Sequence, residues 1–277
     1  MPYGVANKTG ILGIAQCRAI LDMARTAKLD SLDTAISYGQ SERRLGEIGI
    51  PDWNVTSKLP AIPKNCVDLN EWVETSVRHS LHNLGVDQLY AILLHRSDDL
   101  KDSVDSKLLG SLERLKAIGL VRNIGVSIYA PEELSHLNCL SRIDVVQAPY
   151  NVLDRRLQTS GWIQRLVSEG IEIQTRSTFL QGALLMSLED QNAKFRKWEH
   201  VWRSWNQWLV ESGQTALQAC LAVPLLEKEI SRIVIGFDGL EQFQQVLDAT
   251  HAALLETSLE LVCCDTDLIN PARWNLS

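Results

Sequence analysis

The sequence predicts an α/β protein, a (β/α)8 TIM barrel, and three observations carry the prediction. Helical and strand-like patterns alternate from Gln16 to about Ala253. Polar residues close several different apolar runs: Asp33 after LDSL, Lys58 after NVTS and His95 after LYAILL, with Tyr38 in the loop beyond Asp33. In a parallel barrel, side chains at the carboxyl ends of successive strands converge on one mouth. Thirdly, the glycine run that opens a dinucleotide-binding open sheet is missing. Such a sheet would show G-x-G-x-x-G about 20 residues before an acidic ribose ligand. Gly10 and Gly13 come nearest, without a third glycine or a preceding strand.

Each element follows from its own pattern. Gln16–Lys28 has helical spacing in Ile20, Met23, Ala24 and Ala27, and Leu29–Ala35 reads as a strand. Ser41 opens a short helix, and Trp53–Leu59 is the next strand. Val67–Leu84 is amphipathic, with Leu69, Trp72, Val73, Ser76, Val77 and Leu81 along one stripe. Gln88–His95 has the near-continuous apolar centre of a strand covered on both faces. Ser103–Ile118 is a helix stopped by Gly119, and Val121–Ile128 a strand. Pro131 sits in the first turn of the helix that follows. Asp144–Pro149 is a strand, Arg155–Ser168 a helix stopped by Gly170, and Ile171–Ser177 a strand. Phe179–Val201 is irregular, a long loop with a short helix. Trp198, Trp202, Trp205 and Trp208 follow at helical spacings, suiting core packing or a ligand platform. Thr215–Val223 is helical, Ile230–Gly236 a strand and Gly239–Ala253 a helix. Repeated βα units imply parallel strands with right-handed crossovers.

At 277 residues and 45% hydrophobic, the chain can bury a large core. One domain over 1–277, with 254–277 as a C-terminal tail, is expected, because α/β barrels run to roughly 250 residues as one unit. No apolar run reaches the ~18 residues of a membrane span, and MPYGVANKTG lacks a signal pattern. Cys17, Cys66, Cys139, Cys220, Cys263 and Cys264 are scattered, which reads as reduced thiols of a cytoplasmic protein. A net charge of −7 argues against sequence-independent nucleic-acid binding. Arg43-Arg44 and Arg155-Arg156 read as solvated helix faces.

An acid, a phenol, an amine and an imidazole at one mouth form a proton-transfer set. It suits adding a proton to a carbonyl oxygen while a cofactor delivers hydride. The residues around them carry a family likeness. Asp33-Thr34-Ala35-Ile36-Ser37-Tyr38-Gly39-Gln40-Ser41-Glu42, with Leu45-Gly46 after it, resembles the signature of the aldo-keto reductase superfamily. Ser57-Lys58-Leu59, Leu94-His95-Arg96, Gly125-Val126-Ser127 and Gln147-Ala148-Pro149-Tyr150-Asn151 continue the likeness in order. It implies an NAD(P)H-dependent reduction of an aldehyde or ketone, sugar-like in some relatives, with Asp33, Tyr38, Lys58 and His95 catalytic and no metal. A free tyrosine titrates near ~10, too high for an efficient acid at neutral pH. The Lys58 ammonium would lower that value, and Asp33 would keep the lysine charged and aimed. His95 would hold the carbonyl oxygen.

The resemblance also implies the cofactor contacts. Ser127 and Gln147 match the positions that hold the nicotinamide carboxamide, while Ile128 stands where relatives place an asparagine. Arg176 replaces the usual stacking aromatic and could stack through its planar guanidinium. Ser177, Phe179, Gln181, Gly182 and Leu184 resemble the pyrophosphate loop. Gly236, Asp238 and Gln242 match the segment that opens a helix beneath the adenosine phosphate, where an anion is favoured. Relatives often supply lysine or arginine there to the 2′-phosphate of NADP; here Asp238 would repel it. The resemblance places NADP(H) ahead of NAD(H).

Counting strands from Leu29 gives seven, one short of a full barrel, and only Met1-Pro2 precedes Tyr3-Gly4. A missing first strand would leave two edges unpaired. A shortened start, a partly open barrel and an unrecognised segment all fit. The expected partner is a small carbonyl compound, with no nucleic acid or membrane; oligomeric state is unreadable. A different reading makes the chain a catalytically weak family member acting as a cofactor-sensing regulator or binding subunit. A barrel hydrolase or isomerase using Asp33 and His95 would leave the Tyr–Lys pair without a role. Phe179–Val201 and the tail with Trp274 are expected to wall the substrate pocket.

Overall fold

Strands in chain order, most of them followed by an α-helix, account for the described part of the computed structural model, which covers residues 10–100, 105–137, 140–190 and 193–274. The described chain divides into two compact units. The first holds 13–148 and 165–173; the second holds 10–12, 149–164 and 174–274. The first unit's five strands pair in the order of the sequence, and two further strands pair in the second. The residues before Gly10, where the missing first strand would fall, lie outside the described residues, as does Cys139.

In the first unit, helices and strands alternate as α1 Ile14–Thr26, β1 Ser31–Asp33, α2 Ser41–Ile48, β2 Asn54–Leu59, α3 Leu69–Leu84, β3 Leu89–Leu94, α4 Asp105–Ala117, β4 Val121–Ser127 and β5 Val145–Pro149. The strands pair in parallel, with Asp33 opposite Thr56, Lys58 opposite Leu93, and Ser127 opposite Gln147. β3 is buried at every position but Tyr90, as an apolar run between two covered faces requires. α3 begins where the Asp68 carboxylate accepts from the Glu71 amide at 3.1 Å and ends at Gly85 in the left-handed region. Of its predicted stripe, Val73, Val77 and Leu81 are buried, joined by Ser80 and Leu84, while Leu69, Trp72 and Ser76 are half-buried. Each full apolar burial stabilises by about 1.5–3 kcal/mol, and a charge at Val77 would forfeit it.

Two glycines are set by close approach. A Cβ on Gly46 of α2 would meet the Asn83 carbonyl oxygen of α3 at 2.1 Å. One on Gly125 of β4 would meet the Val145 oxygen of β5 at 2.0 Å. Both crossings therefore exclude a side chain.

The second unit contains β6 Glu172–Arg176 from Gln174 onward, paired in parallel with β7 Arg232–Ile233. The helices α5 Arg156–Thr159, α6 from Trp162, α7 Glu199–Ser212, α8 Ala216–Leu226 and α9 Leu240–Thr250 accompany them. Four expectations need correction. The helix predicted over Arg155–Ser168 is broken, because Gly161 takes φ +77°. The segment opened by Pro131 is a short 3₁₀ turn, Pro131–His136, whose Glu133 carboxylate accepts from the Tyr129 and Ala130 amides. β7 is two residues long, although Val234 still donates to Thr175 at 2.7 Å. Arg155 is not solvated: it is 8% exposed, with its guanidinium 5.2 Å from the Tyr150 ring centroid. Beside it, Arg156 pairs with Asp154.

Two of the four tryptophans at helical spacing serve the core, and Trp198 and Trp208 are half-buried. Trp202 and Trp205 of α7 are each 1% exposed, and the Trp205 indole donates to the Leu184 carbonyl at 3.1 Å. Phe195 packs edge-on against Trp202 and Trp274 at 5.7 and 4.9 Å. Cys17, Cys66, Cys220, Cys263 and Cys264 are free thiols. Among the described residues, no helix is long and apolar enough to cross a membrane.

Candidate active site

The ends of β1, β2 and β3 carry the first unit's polar cluster. Ladder bonds run past β1, Thr34 donating to Thr56 and Ile36 to Lys58, and His95 donates to Leu59 just past β3. Asp33, Lys58 and His95 thus end three neighbouring strands. Tyr38 lies in the turn between β1 and α2, held as its amide donates to Ala35 and its carbonyl accepts from Ser41.

Lys58 is 2% exposed, and such an ammonium survives burial only with partners. Its Nζ donates to Asp33 Oδ1 at 2.5 Å and to the Thr34 carbonyl at 2.9 Å. The same nitrogen lies 5.5 Å from the Tyr38 ring centroid. The His95 ring meets the Tyr38 ring edge-on, centroids 5.8 Å apart, and its Nδ1 is 3.3 Å from Ser37 Oγ. Gln147, fully buried in β5, donates from Nε2 to Asp33 Oδ2 at 2.7 Å. Both Asp33 oxygens are therefore engaged. Ser127 is buried opposite Gln147, and Ile128 is buried one step further, donating to the Gln147 carbonyl.

Glu42 stiffens this arrangement from behind. At 4% exposure its Oε1 accepts from Ser57 and Ser80, each at 2.6 Å. The helix after Tyr38, the strand bearing Lys58 and α3 are tied to one carboxylate. The sequence showed Glu42 only as part of a family signature; a helix-face acid gives no other sign of burial.

The second unit holds a cavity of about 300 Å³. Phe179, Gly182, Gly236, Asp238 and Gln242, all singled out from the sequence, line it. Gln181, Phe237, Gln245 and Val246 join them, as do residues at the start of α8. Gln245 and Val246 went unnoticed, although they stand three and four residues beyond Gln242 on one helix face. Arg176 and Ser177 are not among the lining residues; the Arg176 Nη1 donates to Ser177 Oγ at 3.2 Å. Leading into the cavity, Ser177, Leu180 and Gln181 have φ of 63°, 46° and 53°, and Gly182 has 90°. Three non-glycine residues held there store backbone strain, the kind of loop that turns amides toward an anion. At the far wall, α9 starts at Gly239 with no side-chain cap, and Gln242 Oε1 accepts from the Asp238 amide at 2.7 Å. Amides, a helix start and apolar walls suit a nucleotide. Burial pushes the Asp238 carboxyl above its ordinary range.

Parallel strands in chain order, with a carboxylate, an ammonium, a phenol and an imidazole near the ends of the first unit's strands, define an α/β protein with a polar strand-end site. The comparisons make the class specific. The model of the Aldo/keto reductase family matches residues 13–262, and the chain belongs to that family. It is 31% identical over 143 residues to an aldo-keto reductase of Gibberella moniliformis, covering 47% of this chain and 42% of that one. It is 26% identical over 169 residues to the aldo-keto reductase YhdN of Bacillus subtilis, covering 57% and 48%. The matched stretch thus spans about half the length of these curated relatives. The holo form of aldo-keto reductase AKR11C1 from Bacillus halodurans shares the fold at a TM-score of 0.72 and 20% identity, covering 92% of this chain and 91% of that one.

Proposed function

We propose that this protein reduces an aldehyde or ketone with a nicotinamide dinucleotide, Tyr38 supplying the proton to the carbonyl oxygen. The observation that carries the reading is the buried Lys58, fixed between Asp33 and the Thr34 carbonyl with its charge 5.5 Å from the Tyr38 ring. A cation there favours the phenolate and so makes the phenol a better acid. Asp33 keeps the ammonium charged and aimed. His95, edge-on to Tyr38, hydrogen-bonds the carbonyl oxygen and orients it for protonation. The bound cofactor would supply the hydride. Ser127 and Gln147 would hold its carboxamide; with its nitrogen committed to Asp33, Gln147 presents its oxygen as the acceptor. The cavity lined by Phe179, Gly182, Gly236, Asp238 and Gln242 would take the nucleotide end. Arg176 and Ser177 would act from the strand end that leads into its loop.

The test is loss of absorbance at 340 nm against a panel of small aldehydes and sugars, run beside cofactor titration. Tyr38→Phe is expected to abolish turnover while leaving cofactor affinity nearly intact. Unchanged turnover refutes the assignment. Tight cofactor binding with no consumption across the panel would favour a sensor or binding subunit instead.

A further inference from the structure

The lining of the second-unit cavity is apolar and neutral-polar apart from one carboxylate. Among the described residues that line it, none is lysine or arginine, and Asp238 is the one ionisable group. A 2′-phosphate would bring a charge of about −1.5 to −2 at neutral pH. Proteins hold such a group with guanidinium or ammonium donors, which this lining does not offer. Its polar members are Gln181, Gln242, Gln245 and Asp238, whose amides and carboxylate suit hydroxyl groups. A carboxylate accepting from a ribose hydroxyl is the usual device for a dinucleotide without the extra phosphate.

The start of α9 offers the counter-argument, because a helix N-terminus attracts anions. Here Asp238 stands directly before the N-cap Gly239. An ionised carboxylate beside that helix end opposes the approach of a second anion. Gln242 Oε1 accepts from the Asp238 backbone amide at 2.7 Å, which sets the Gln242 side chain before any ligand arrives.

Resting on the reading of this cavity as the nucleotide end of the cofactor site, we propose that the protein selects NAD(H) over NADP(H). Asp238 and Gln242 then recognise the free adenosine ribose. This reverses the order that family resemblance alone suggests.

Equilibrium titration of the full chain with NADH and NADPH, read by tryptophan quenching and by calorimetry, tests it without turnover. NADH is expected to bind at least about tenfold tighter, equivalent to about 1.4 kcal/mol. Asp238→Ser should shrink that ratio, and Asp238→Ser combined with Gln242→Arg should invert it; Asp238→Asn serves as a second removal of the charge. Equal or tighter NADPH binding by the wild type, or an unchanged ratio in both Asp238 variants, overturns the proposal. Binding of neither dinucleotide sinks the cofactor reading itself, and the selectivity with it.

Discussion

Replacing Lys58 by methionine keeps the length of the side chain and removes its charge from a site that is 2% exposed. At 2.5 Å and an effective dielectric of about 20, the Lys58–Asp33 attraction is about 7 kcal/mol before desolvation. Taking both groups out of water cancels several kcal/mol of that. Removing one partner of such a pair costs about 3–5 kcal/mol, because the remaining charge is stranded. Asp33 keeps its bond from Gln147 and 15% side-chain exposure, which argues for the lower end, about 3 kcal/mol. At about 2 °C per kcal/mol for a chain of this size, thermal unfolding should fall by roughly 6 °C. Urea unfolding followed by fluorescence and by far-UV circular dichroism measures the loss. The double variant Asp33→Asn/Lys58→Met should recover at least about 1.5 kcal/mol relative to Lys58→Met, because no charge is then left unpaired. A single variant costing under about 1 kcal/mol, or a double variant no better than the single, would refute the stranded-charge reasoning.

Gly125→Ala forces a Cβ to within 2.0 Å of the Val145 oxygen, so β4 must move away from β5. A loss of about 1–3 kcal/mol in urea unfolding is expected, together with weaker cofactor binding through Ser127 and Gln147; wild-type values for both would count against the crossing. Gln147→Leu removes a hydrogen bond to a carboxylate, worth about 1.5–3 kcal/mol, and should lower both the urea midpoint and cofactor affinity. In the second unit, burial and the neighbouring Glu229 carboxylate push the Glu227 carboxyl up. A raised folded value means that this group's contribution to stability is lost as pH rises from the ordinary carboxylate range through the raised one. Glu227→Gln should therefore gain melting temperature over the wild type at pH 7 and lose that advantage near pH 4, measured as the difference between the two melting curves. A gap that does not change with pH would reject it.

Much of the first unit was legible because its signals are local. β3 is a buried apolar run, α3 shows part of its stripe, and Asp33, Lys58 and His95 stand at strand ends. Convergence of Asp33, Lys58 and His95 then follows from parallel pairing alone. The second unit hides its construction. Ser177, Leu180 and Gln181 adopt positive φ without being glycine, so nothing in the letters marks the turn that shapes the cavity. Gly161 was legible as a glycine but not as a helix break, since a glycine inside a helical pattern is often tolerated. Arg155 read as surface because charge usually is; only the Tyr150 ring and its surroundings show it buried. The two-residue β7 is short because the chain leaves the sheet after Val234, a tertiary decision that apolar residues 233–235 disguise.

The carboxylate of Glu42, gripped by two serine hydroxyls from separate elements, has a consequence for how this protein can change. Swinging α2 and the Tyr38 turn outward together would drag β2 and α3 along, so Tyr38, the proposed proton donor, is braced through its neighbouring helix. Under the proposed function, new carbonyl compounds would have to be accommodated by reshaping surfaces that Glu42 does not brace. A library that randomises residues 33–58 should yield mostly misfolded or inert clones, whereas variation elsewhere leaves the acid–base geometry to be inherited whole.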